Sequence, residues 1–81
     1  MSIGYNTNMS FDKYFKEFAS NMKAERARKG LTHVQLSLKT GLSTDTLSRI
    51  ERGVTNPTLD TIISIALALD VDLNTLLPLK K

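Results

Sequence analysis

Thr44, Asp45, Ser48 and Arg49 are spaced so that one helical stretch presents them together. Thr44 and Ser48 are four apart and share a face, and Asp45 and Arg49 fill the row beside it. Arg49 carries a planar fork of donors that matches guanine O6 and N7, and Asp45 can accept from a cytosine amino group. The same two residues, at i and i+4, also suit a surface ion pair worth roughly a few tenths of a kcal/mol. Other chemistries lack material. The 81 residues include no Cys and one His, so no disulfide framework or thiolate zinc site is available. The scattered carboxylates form no nucleophile–base pair. No catalysis, metal, cofactor or small-molecule ligand is expected.

The elements that must position these residues are legible from their caps. Thr32 can N-cap a short helix that Gly41 ends, and Ser43 can cap a second, Thr44 to Arg52, which stops at Gly53. Two such helices around a Gly turn have the layout of a helix-turn-helix, whose second helix enters the DNA major groove and offers its N-terminal residues to base edges. Thr44, Asp45, Ser48 and Arg49 are therefore the expected base readers. Thr32, His33 and Gln35, where the first helix begins, sit beside open N–H groups that favour a phosphate. Arg52, Thr55 and Asn56 form a second phosphate set beyond the reading helix. Leu36, Leu47 and Ile50 face the other way and are expected in the core.

Flanking segments complete an all-helical domain. Ser10 is a plausible cap, with Asp12 in a first turn that favours an anion. Phe11, Phe15, Phe18 and Met22 then form a one-faced stripe, and the helix runs to about Lys29 with Gly30 as its left-handed cap. After Pro57, Thr58 can cap a helix from Leu59 to Leu69. Leu59, Ile62, Ala66 and Leu69 line one side of it, and Ile63, Ile65 and Leu67 widen that stripe, which predicts burial on more than one side. Asp72 can cap a fifth short helix that reaches Leu77 before Pro78. The expected organisation is a flexible arm over residues 1–9, one compact five-helix domain over 10–79, and a basic tail, Lys80-Lys81.

Charge is uneven. Nine Lys/Arg stand against five Asp/Glu from Asp12 to Arg52, while Gly53 to Leu79 holds three acids and no base. That asymmetry points one face toward a polyanion. The longest apolar run, Ile65 to Leu69, is far short of a membrane span, and the N-terminus lacks a secretory pattern. A cytoplasmic protein is expected.

The run Arg26-x-x-Lys29-Gly30-Leu31-Thr32, then Leu36, Gly41-Leu42-Ser43, Leu47-Ser48-x-Ile50-Glu51-Arg52-Gly53 and Asn56-Pro57-Thr58-Leu59 resembles the lambda-repressor/Cro-like (Xre-type) helix-turn-helix family. The resemblance extends over roughly residues 15–77. It implies a lambda-repressor-like domain with the helix-turn-helix at helices 2 and 3, and a structural salt bridge between Arg26 and Glu51. Three departures stand out. His33 replaces the usual Gln, with a ring that titrates near neutral pH. Ser37 replaces Ala and can bond back to a helix carbonyl. Val34 and Leu38 are apolar where the family is polar, which suggests cover by the arm or a partner.

Ile63, Leu67, Leu77 and Leu79 exceed what so small a domain buries alone. They are the expected interface of a homodimer that would set two reading helices about 34 Å apart on a pseudo-palindromic operator in double-stranded DNA. The leading expectation is a sequence-specific transcriptional regulator, a repressor of phage, mobile-element or restriction-modification control type. Alternatives are an antitoxin that represses its own promoter and masks a toxin, and a protein-interaction module that no longer binds DNA.

Overall fold

A computed structural model describes residues 11–79. Its regular elements are all helices: α1 Asp12–Arg28, α2 His33–Thr40, α3 Thr44–Glu51, α4 Leu59–Leu69 and α5 Leu73–Leu76. The expected arm over 1–9, the Ser10 cap and the Lys80-Lys81 tail lie outside the described residues. Phe11 holds the N-cap place of α1, and no side chain caps that helix.

Helices of eight residues, such as α2 and α3, do not persist alone in water and depend on burying one face. Leu36 of α2 and Leu47 and Ile50 of α3 meet Phe18 and Met22 of α1. Ile62, Ile65 and Leu69 of α4 and Leu76 of α5 close the same core. α2 packs on both α3 and α4, and α1 touches α3, α4 and α5. Asn21 Nδ2 donates to the Leu76 carbonyl at 3.1 Å, which fastens α5 to α1. Gly41 ends α2 at φ 79°, a left-handed conformation that lets the chain turn sharply into α3.

Several expectations change. The α1 stripe is buried from Phe18 to Met22, but Phe11 is exposed. On α4, Ile62, Ile65, Ala66 and Leu69 are buried, whereas Leu59, Ile63 and Leu67 are not. The bundle supplies neighbours on one side of α4 only, and Leu59 sits in its first turn beyond their reach. Thr58 occupies the cap position of α4, yet its hydroxyl donates to Asp60, and Asp60 Oδ1 accepts from the Thr61 amide at 3.0 Å. A charged acceptor within reach displaces a neutral one. These bonds, that from Thr58 foremost, hold the Asp60 carboxyl below its usual range. Asp72 likewise makes no side-chain cap, and α5 ends at Leu76. Ser37 donates across the turn to the Leu42 carbonyl; it is Thr40 that bonds back to its helix, at Leu36 O, 2.9 Å away.

Candidate nucleic-acid interface

α3 begins where Ser43 Oγ accepts from the Thr46 amide at 3.0 Å. Its phase is then set by Leu47 and Ile50, which are buried. That phase turns Thr44, Asp45 and Arg49 out to solvent and leaves Ser48 half-buried at the edge of the core. Three of the four expected readers thus project freely. Arg49 Nε lies 3.1 Å from Asp45 Oδ2. The surface pair expected from the i,i+4 spacing is present, and its short contact is at Nε.

At the start of α2, Thr32 and Gln35 form a capping box: Gln35 N donates to Thr32 Oγ1 at 3.1 Å, and Thr32 N donates to Gln35 Oε1 at 2.9 Å. Both side chains are therefore committed to the helix. The amides of His33 and Val34, the next two positions, are the open donors at this end.

The His33 ring turns away from that end, toward the last residue of α3. Its Nε2 lies 3.1 Å from Glu51 Oε1. The Glu51 carboxylate is only 5% exposed and also receives Arg26 of α1, with Nε on Oε2 at 2.6 Å and Nη2 on Oε1 at 3.0 Å. Arg26 Nη1 donates to the Leu31 carbonyl at 2.7 Å, in the connection between α1 and α2. The Arg26–Glu51 bridge implied by the family resemblance is thus in place, and His33 joins it. Burial pushes the Glu51 carboxyl up, but the hydrogen bonds from Arg26 and then the adjacent His33 ring outweigh it and hold the group below its ordinary value. The Arg26 guanidinium is raised in turn, chiefly by its bonds to Glu51.

The remaining expected residues are scattered. Arg52 and Asn56 are exposed and Thr55 half-buried in the segment after α3. Two neighbouring bases are already engaged: Arg28 pairs with Glu25, and Lys29 Nζ reaches the Asp70 carbonyl at 3.4 Å. Val34 and Leu38 stand open on α2, 61% and 82% exposed. The four expected interface residues do not share one hollow. Leu77 and Leu79 face α1 across an apolar groove of about 620 Å³ walled also by Phe11, Tyr14, Phe15 and Ile62. Leu67 instead borders a hollow with Lys39, Ser64 and Ala68. The groove escaped the sequence reading, although its signal was there: the α1 stripe continues past the residues that the core can hold. Among the described residues, no helix is long and apolar enough to cross a membrane.

Comparison with known proteins gives concordant matches. The Helix-turn-helix family HTH_3 matches residues 22–76. An HTH-type transcriptional regulator of Sinorhizobium fredii, y4dJ, is 41% identical over 56 residues, which are 69% of this chain and 73% of that protein. The restriction-modification controller protein C.AhdI of Aeromonas hydrophila superposes with a TM-score of 0.73 at 31% identity, covering 76% of this chain and 94% of that one. The hypothetical transcription factor NHTF of Neisseria superposes at 0.75 and 27% identity, covering 94% and 88%.

Proposed function

Since the chain belongs to the helix-turn-helix family of transcriptional regulators, we propose that it is a sequence-specific repressor that grips a pseudo-palindromic operator as a homodimer in the cytoplasm. The observation that carries this reading is the two-sided build of α3: Leu47, Ile50 and Glu51 are held by the rest of the domain, while Thr44, Asp45 and Arg49 project from it. Arg49 reads a guanine through its two Nη groups, with Asp45 steadying the guanidinium at Nε. Thr44 and the exposed edge of Ser48 lie against neighbouring base edges. The open amides of His33 and Val34 take a phosphate at the start of α2, and Thr32 and Gln35 shape that site through the capping box. Arg52, Thr55 and Asn56 take the next phosphates.

Exposed Ile63 and Leu67 on α4, with Leu79 after it, support a dimer contact, while Leu77 is half-buried against the core and adds only its open edge. The likeness to C.AhdI, named as a restriction-modification controller, favours the same kind of regulator here. Val34 and Leu38 favour a second reading, in which a protein partner such as a toxin also sits on α2; co-purification of a second polypeptide that Leu38→Lys releases would establish it. No catalytic role is proposed.

Selection of bound sequences from a random DNA pool tests the main reading. The expected result is enrichment of two inverted half-sites about one helical turn apart. Absence of any enrichment would leave a domain that has kept the fold without the reading function.

A further inference from the structure

The open end of the helix-turn-helix is closed by a single carboxylate. Gly41 and Ser43 join the end of α2 to the start of α3, so the start of α2 and the end of α3 have no covalent tie. Glu51 supplies one. Its Oε1 receives Arg26 Nη2 from α1 at 3.0 Å and faces His33 Nε2 from the first residue of α2 at 3.1 Å. His33 Nε2 is buried, and no aligned hydrogen bond satisfies it. Among the described residues, the charged groups placed against the ring are Glu51 from α3 and, behind it, Arg26 from α1.

A neutral imidazole can offer Oε1 at most one poorly aligned N–H and no charge, so it holds Glu51 weakly. An imidazolium converts the same short contact into an ion pair with a carboxylate that is almost fully sheltered from water. We infer that His33 is a positioning residue, a proton-dependent latch that fixes the angle between α2 and the reading helix through Glu51. Its consequence for operator binding rests on the function proposed above; the latch itself does not. With the proton on, α3 is pinned at both ends. With it off, the far end is held chiefly by Arg26, and binding requires an angle that is less well fixed in advance.

The chain has one histidine, so its ring gives a single, unambiguous NMR titration in the DNA-free protein. The expected result is that the Glu51 amide and the resonances at the end of α3 move with the same midpoint as the His33 ring, and that these movements vanish in His33→Gln. Affinity for the selected DNA should fall at least threefold from pH 6 to pH 8 in the wild type and stay within twofold in His33→Gln. An α3 terminus that ignores the ring titration overturns the latch, even if affinity depends on pH, because His33 would then be acting on phosphate directly. A coupled titration in a protein that binds no DNA would uphold the latch and reject the operator reading instead.

Discussion

Arg49 and Glu51 are two residues apart on α3 and face opposite worlds. Arg49 is exposed, and its pair with Asp45 contributes little to stability because both partners are solvated. Arg49→Ala should leave folding intact and lose about 1–3 kcal/mol of binding at one operator position, measured as relaxed preference for a single base pair. An equal loss on every sequence would make it a phosphate contact. Glu51 behaves differently. Its folded carboxyl is held below its unfolded value, so the unfolded chain binds more protons in acid. The stability it contributes is fully present above that unfolded value and is lost as pH falls through the lower, folded one. Urea midpoints taken between pH 2 and pH 6 should show this slope in the wild type and a shallower one in Glu51→Gln. Sequence reading captured the Arg26–Glu51 pair only through family resemblance. It missed His33 on Glu51, because a contact across eighteen positions depends on an interhelical angle that no local pattern encodes.

At the scale of elements, α2 and α3 hold their starts by side-chain caps and their middles by one or two buried residues. Thr32 anchors the capping box, so Thr32→Ala should cost about 1 kcal/mol of stability. It should also weaken DNA binding by loosening the start of α2, and thermal melts beside binding curves separate the two effects. Leu47 is buried in the shared core, and Leu47→Ala should cost about 2–5 kcal/mol, enough to unfold a marginal domain in a denaturation experiment. Helix existence and caps at Thr32, Ser43 and Gly41 were legible because they are local: a side chain bonds an amide three residues on, or a glycine takes a left-handed turn. The roles of Thr58, Asp72 and Gln35 were less so. Each had two chemically reasonable partners, and the choice between them follows from side-chain geometry over one or two residues.

For the whole molecule, the decisive quantity is how much apolar surface the bundle cannot cover. α4 reads as almost wholly apolar, and its pattern predicted burial on several sides. The fold has neighbours for one side only, and Leu67 remains 76% exposed. Leu67→Glu should therefore be tolerated by the fold and should shift sedimentation equilibrium toward monomer, with a parallel loss of affinity for a two-half-site DNA. An unchanged mass would move the interface to the groove between α1 and the segment after α5. The uneven charge makes a further prediction at this scale. Log affinity should fall linearly with log salt concentration, by about one unit of slope for each phosphate neutralised, and Arg52→Ala should remove about one such unit per protomer.

The two faces of α3 also bear on how such a protein diverges. The residues that hold the helix are buried and answer to the fold, whereas Thr44, Asp45 and Arg49 are exposed to solvent. Substitution at those three positions is nearly neutral for folding, since surface changes away from packed features usually alter stability by roughly half a kcal/mol or less. A duplicated gene could therefore acquire a new DNA address in very few steps while keeping its frame. The same separation lets an engineer exchange the outward triplet as one cassette and expect the chain to fold as before.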